Sequence, residues 1–415
     1  MTKRVKEINN NLAITFAGIE FKNPVYSSHG PLGRTYNALM GSIEAGVGAV
    51  GMKSSSMRHD PPSDSKPLGR YIVKPAHMFL NKYGLPKMML NWESTPDDWT
   101  VAEQAKMIKA IKPTAVKHNT KIIAGINIDE GPEPDALREE TRILAESGAD
   151  MIHACLGSDG WPLEEVARLA TEIEHMIGKM LKVVKALEEA SPIPTVYGLG
   201  GPVYLQAGQR FYEAGVRQIE IGDASYGVVV DIEKMDPLVP GPNIFSYGPL
   251  RRPCINNITA RVFNAHTSFE LASSAGVWTA NDALERMMCG STLVGLHTAV
   301  QYHGHKILTE IIKGMKEFLD RKGLSVQDII GVAVPKIVNT SAYEKYLREN
   351  EAKREFIRPV INFEKCTACG ICANCIHGAI NMKDNLPVLT LEYCMKCGIC
   401  ESLCPTDAIA LKTNN

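Results

Sequence analysis

Pro194-Thr-Val-Tyr-Gly198-Leu-Gly200-Gly201-Pro-Val203 is the stretch on which the fold turns. A short apolar run ends in glycines and opens onto a helical pattern at 203–214. Read as the phosphate turn of a doubly wound sheet, it offers two glycines of G-x-G-x-x-G. The third is missing, and no acidic partner follows at a convincing spacing. Read as one βα unit among many, it matches its surroundings. Further apolar runs at 25–28, 49–53, 121–127, 150–155, 217–222, 269–273 and 291–295 read as buried parallel strands. Helical patterns at 35–46, 101–118, 136–147, 163–190, 280–288 and 302–322 lie between them. Gly148-Ala-Asp150, Ala214-Gly-Val216 and Cys289-Gly-Ser291 close helices just before strands. Eight strand-and-helix units predict an α/β fold, a (β/α)8 TIM barrel. Residues 12–22 alternate around Ala17-Gly18 and predict a small hairpin ahead of it.

The cysteines divide the chain. Of 11, only Cys155, Cys254 and Cys289 precede residue 366, and the rest crowd into the tail. There the sequence runs Cys366-x-x-Cys369-x-x-Cys372-x-x-Cys375, then Cys394-x-x-Cys397-x-x-Cys400-x-x-x-Cys404-Pro405. The second run matches the bacterial ferredoxin spacing; the first closes one residue early, with Ile376 where proline is usual. In such pairs the fourth thiolate ligates the other cluster. Cys366, Cys369, Cys372 and Cys404 are therefore expected on one [4Fe–4S] cluster, and Cys394, Cys397, Cys400 and Cys375 on a second. Zinc sites prefer separated CxxC pairs, and a chain without a secretion signal disfavours disulfides. The expected domains are a barrel over 1–340 with an insertion at 58–99, a linker at 341–356 and an α+β ferredoxin domain at 357–415.

Composition excludes several classes. Lys plus Arg (45) balance Asp plus Glu (46), so no basic surface for nucleic acid is expected. No apolar run approaches the ~20 residues of a membrane span. The first residues carry charge but no apolar signal core, which predicts a cytoplasmic protein.

In a barrel, chemistry sits at the carboxyl ends of the strands. The residues there include Ser28-His29-Gly30, Lys53-Ser54, Asn127, Cys155 to Asp159, Gly222-Asp223, Gly276-Val277 and His297-Thr298. Loops after strands 7 and 8 commonly hold a phosphate, and Gly276, Val277, His297 and Thr298 supply small residues and donors there. Lys53 suits the electron-rich edge of a flavin.

Leu12-Ala-Ile-Thr-Phe-Ala-Gly-Ile-Glu-Phe-Lys-Asn-Pro-Val25, followed by Ser27-Ser28 and Gly48-Ala-Val-Gly-Met-Lys53-Ser54, resembles the opening of the dihydroorotate and dihydropyrimidine dehydrogenase family. Ala275-Gly-Val-Trp278, Asp282-Ala283, Gly290-Ser-Thr292 and Ser246-Tyr-Gly-Pro-Leu250 are similar to later stretches of it. The resemblance implies FMN at the barrel mouth. Ser28, His29 and Gly30 would pass beneath it through their backbone. Lys53 and Ser54 would touch its ring system, Asn127 the flavin or substrate, and Gly276, Val277, His297 and Thr298 its phosphate. It implies oxidation or reduction of a C=C bond beside a carbonyl in a small ring.

Departures fall on the substrate side. Cys155-Leu-Gly-Ser-Asp159 replaces the family's substrate asparagine motif, Thr195-Val-Tyr-Gly198 lacks the strand 5 lysine, and Gly222-Asp223 replaces an asparagine pair. Cys155, Asp159 and Asp223 become the candidate acids or bases, and Tyr197 a candidate donor to a carbonyl oxygen. Cys254 and Cys289 read as packing residues. The insertion at 58–99 reads as a lid, with Arg58, Asn91 or Glu93 available to substrate. Without a nucleotide fingerprint, electrons are expected from a partner flavoprotein or ferredoxin. The remaining readings are a dihydropyrimidine dehydrogenase proper and a non-catalytic electron-transfer subunit. Long apolar-faced helices permit a homo- or hetero-oligomer.

Overall fold

The computed structural model describes residues 10–55, 89–92, 100–128, 134–156, 163–198, 201–222, 225–226, 230–237, 244–338, 341, 344–345 and 358–412. It divides into two compact units, Met1–Asn339 and Thr340–Asn415.

In the first unit eight parallel strands close into a barrel. They are β1 (Val25–Ser27), β2 (Ala49–Gly51), β3 (Lys121–Asn127), β4 (Met151–Cys155), β5 (Thr195–Gly198), β6 (Gln218–Ile221), β7 (Glu270–Ser273) and β8 (Leu293–Leu296). Each pairs with the next, and β8 pairs with β1. The open-sheet reading is thereby excluded: Gly198 ends a barrel strand, and helix α5 (Gly201–Glu213) follows it. The other outer helices include α1 (Tyr36–Glu44), α2 (Val101–Lys117), α3 (Pro134–Glu146), α4 (Leu163–Ala190), α6 (Arg252–Ala265), α7 (Ala280–Met288) and α8 (Lys306–Lys322). Capping boxes at Thr100/Glu103 and Thr279/Asp282 start α2 and α7 by satisfying the first free N–H groups. Ile14–Phe16 and Ile19–Phe21 form the hairpin.

Two predictions need correction. The helical pattern at 302–322 is two helices, Thr298–His303 and α8, broken at Gly304, whose φ of 72° ends the first. Cys289 is buried, but Cys254 on the first turn of α6 is exposed and does not pack.

Of the 58–99 insertion, Met89–Trp92 is described, and it forms a strand. It pairs antiparallel with Ile244–Tyr247, which in turn pairs with Ser225–Tyr226. Excursions that follow β2 and β6 are thus joined by backbone hydrogen bonds into one three-stranded sheet. Arg58 and Glu93 lie outside the described residues, as does most of the 341–356 stretch.

The second unit holds two antiparallel pairs, Arg358–Ile361 with Ile409–Lys412 and Ile380–Lys383 with Leu386–Leu389. Between them run two cysteine loops with one backbone trace. Ala368 and Lys396 both have φ of 57°, and Gly370 and Gly398 both have 77°. Each glycine then opens a short helix, Ile371–Asn374 or Ile399–Leu403.

Candidate functional site

Side chains alternate along a strand. On β4, His153 points into the barrel, so Cys155 points the same way one step nearer the mouth. On β5, Tyr197 pairs with Ala154 and faces out. Its hydroxyl donates to Glu188 Oε1 of α4 at 2.6 Å. Tyr197 is therefore a barrel-to-helix tie, and its expected place at the substrate is corrected.

The interior near the mouth holds a polar cluster from three strands. Glu220 of β6 accepts from the Tyr26 hydroxyl at Oε1 (2.7 Å) and from His153 Nε2 at Oε2 (2.8 Å). His29 Nε2 lies 3.7 Å from the same Oε2. The His29 and His153 rings stack 3.8 Å apart at 13°. His29 Nδ1 is 3.1 Å from the Met52 carbonyl and donates to it. His153 Nδ1 is buried and has no hydrogen-bond partner among the described residues.

Glycines make room for these rings. A Cβ on Gly51 would stand 2.9 Å from the His29 ring, and one on Gly198 would stand 2.5 Å from His153 Nε2. At Gly295 it would meet the Tyr26 hydroxyl at 2.7 Å. The layer that usually carries bulky apolar side chains is here traded for four polar ones.

Burial alone would raise the Glu220 carboxyl, but His153, His29 and Tyr26 outweigh it and hold the group well below the usual carboxylate range. Burial, then His153, lowers His29 to about 3. The Tyr26 phenol is raised, first by burial and then by Glu220. Neither His153 nor Glu220 stands out in the sequence, because each is one polar residue inside an apolar strand run. The usable signal is that inward parity, combined with glycines at neighbouring strand ends.

The other candidates are placed as follows. Ser28 and Ser54 are buried at the ends of β1 and β2. Lys53 follows β2, and its N–H donates to the Gly33 carbonyl at 3.2 Å. Gly30 lies against the His297 ring, which a Cβ would meet at 2.8 Å. Asn127 ends β3 opposite Cys155. Thr298 begins the short helix after β8, with His297 before it. In the β7 loop Ala275 and Gly276 both take left-handed φ (66° and 80°), and any side chain on Gly276 would run into the Arg252 backbone. Arg286 of α7, wholly buried, donates to the Ser274 and Ala275 carbonyls at 2.6 and 2.8 Å. Arg252 pairs with Asp282, whose other oxygen accepts from Trp278 and Thr279 N–H. These ties fix the loop from behind. Asp159 and Asp223 lie outside the described residues.

In the second unit, Cys366, Cys369, Cys372 and Cys404 line one cavity, walled also by Met382, Pro387 and Ile409. Cys375, Cys394, Cys397 and Cys400 line another, which Cys372 also borders. Each set draws its fourth thiol from the opposite loop. The Ala408 N–H donates to Cys404 Sγ at 3.1 Å, and backbone N–H groups lower the Cys375 thiol. Two apolar cradles of four thiols with N–H donors to sulfur fit iron–sulfur clusters.

The dihydroorotate dehydrogenase family profile matches residues 229–319 and the 4Fe–4S binding domain profile 387–410. "Dihydroorotate dehydrogenase B (NAD(+)), catalytic subunit" of Methanocaldococcus jannaschii is 26% identical over 330 residues, covering 78% of this chain and 98% of the relative. "NAD-dependent dihydropyrimidine dehydrogenase subunit PreA" of Escherichia coli K12 is 23% identical over 375 residues, 88% of this chain and 85% of the relative. No helix among the described residues is long and apolar enough to cross a membrane. The chain therefore combines an eight-stranded barrel, part of which matches the dihydroorotate dehydrogenase profile, with a 4Fe–4S binding domain, and its homologues include catalytic subunits of dihydroorotate dehydrogenase B and the dihydropyrimidine dehydrogenase subunit PreA.

Proposed function

We propose that this chain is an FMN-dependent oxidoreductase acting on a CH–CH or C=C bond beside a carbonyl in a small cyclic or conjugated substrate, with electrons relayed through two [4Fe–4S] clusters. The observation that supports it most is the pairing, in one chain, of a barrel with backbone-built mouth loops and a unit with two four-thiol cradles. The left-handed turn at Ala275-Gly276, anchored by Arg286, and the close approach of Gly30 to His297 leave strand-end backbone near the mouth, as a bound flavin needs.

In this reading Ser28, His29 and Gly30 support the flavin through their backbone. Lys53, Ser54 and Asn127 meet its ring system. Gly276, Val277, His297 and Thr298 take the phosphate. Bound FMN supplies hydride chemistry, and the clusters supply single-electron steps. The proton falls to Cys155, Asp159 or Asp223. Cys155 shares the inward face of β4 with His153 and so carries the strongest geometric support. The electron partner is a flavoprotein or ferredoxin.

The test is an anaerobic spectrum of the purified holoprotein during additions of uracil, orotate, cyclic enones and their dihydro forms. Bleaching of bound flavin by a dihydro compound, or reoxidation of the reduced protein by its unsaturated partner, is expected. A holoprotein without flavin sinks the reading. Reduction of the clusters alone, with no substrate responding, would favour an electron-transfer subunit.

A further inference from the structure

The cluster inside the barrel has a lone-pair conflict. The Met52 carbonyl can only accept, so His29 Nδ1 carries the proton and Nε2 presents its lone pair. That lone pair faces Glu220 Oε2 at 3.7 Å, beyond hydrogen-bond distance. Stacking with His153 brings a second Nε2 to the same oxygen, at 2.8 Å. The three ligand atoms lie within 4.8 Å of one another, with His153 and Glu220 buried and His29 partly so. They come from three elements, β4, β6 and the end of β1, and glycines clear the space around them. Two of the three also have fixed outer contacts: His29 Nδ1 on the Met52 carbonyl, and Glu220 Oε1 on the Tyr26 hydroxyl. Such outer hydrogen bonds orient metal-binding imidazoles and carboxylates.

We propose that His29 Nε2, His153 Nε2 and Glu220 Oε2 form a binding site for a divalent first-row transition-metal ion inside the barrel. Two imidazoles and one carboxylate suit zinc and its neighbours. They suit magnesium or calcium poorly, and no thiolate is present to favour cuprous ion. A cation at the point of convergence would neutralise the buried carboxylate and meet the His29 lone pair. It would meet the His153 lone pair once that ring's proton sits on the unpartnered Nδ1 instead of on the Nε2 that donates to Glu220. Three protein ligands leave a further coordination position open, as in catalytic rather than structural zinc sites.

Zinc alone is the probe. Anaerobic holoprotein is dialysed against zinc sulfate, stripped on a chelating resin, and read by elemental analysis and zinc K-edge absorption. About one zinc per chain is expected, in a nitrogen and oxygen shell at about 2.0–2.1 Å without sulfur at about 2.3 Å. Glu220→Gln and His153→Gln proteins with unchanged iron and sulfide content should retain at least about tenfold less. No retained zinc, zinc in a sulfur shell, or equal retention by both variants overturns the proposal. The wild-type spectrum reads the shell directly, so the outcome does not depend on the variants folding. It is also independent of whether flavin or substrate responds, so the two readings fail separately.

Discussion

A single carboxyl shows how burial sets behaviour at the scale of one residue. Glu140 of α3 is buried against Ser55, and desolvation raises it to about 8 despite that contact. Between pH 4.5, the ordinary value, and about 8 the folded state holds a proton that the unfolded chain has released. Stability then falls with rising pH, at about 1.4 kcal/mol per pH unit from this group, and levels off above the window. Glu140→Gln should remove that slope and be the more stable form at pH 8, as measured by denaturant unfolding across pH. The glycines make a second residue-scale case. Gly198→Ala would press a methyl on His153 and should cost about 1–3 kcal/mol, seen as a lower unfolding midpoint at constant slope. The mouth serines, Lys53 and the tail cysteines stood out in the sequence because each sits at a strand end or in a spaced motif. His153 and Glu220 did not, because an apolar run hides which of its residues face inward until closure of the barrel decides it.

Among the elements, the loop after β7 depends on a helix it precedes. Arg286 reaches back from α7 to Ser273, Ser274 and Ala275, with Asn256 of α6 accepting from its Nε. Burial lowers its guanidinium only to about 10, so it stays charged. Arg286→Leu would leave those carbonyls buried and unmatched. About 2–5 kcal/mol of stability should be lost, with FMN retained at least tenfold more weakly on gel filtration of the holoprotein. Strand positions were legible from apolar runs bounded by glycine, and their predicted ends shift by only a residue or two. α6 was not among the helices read from the pattern, and the sheet joining Met89–Trp92 to Ile244–Tyr247 could not be read at all, since its partners are more than a hundred residues apart in the chain. Local pattern carries no information about such pairing.

For the whole molecule, the sequence was most informative where spacing itself is the chemistry. The tail cysteines could be sorted into two sets because a thiolate loop of fixed length can reach only so far. The crossed sets give a clear expectation: Cys404→Ser should depress iron and acid-labile sulfide from about eight toward about four per chain and leave the cluster on Cys375, Cys394, Cys397 and Cys400, whereas Cys375→Ser should spare the other. Equal loss of both clusters in either protein would contradict the crossed assignment. The barrel was legible as architecture, but its interior was not, because barrels share their outer pattern whatever fills them.

The exchange of strand-end glycines for interior rings also has an evolutionary consequence. The upper barrel is a compartment of constant volume, so bulk gained at one position must be surrendered at another. Positions 51, 198 and 295 should therefore covary with 29, 153 and 26 across descendants of this chain. A larger residue at 198 should arrive together with a smaller one at 153, and each step alone should be less fit than either end state.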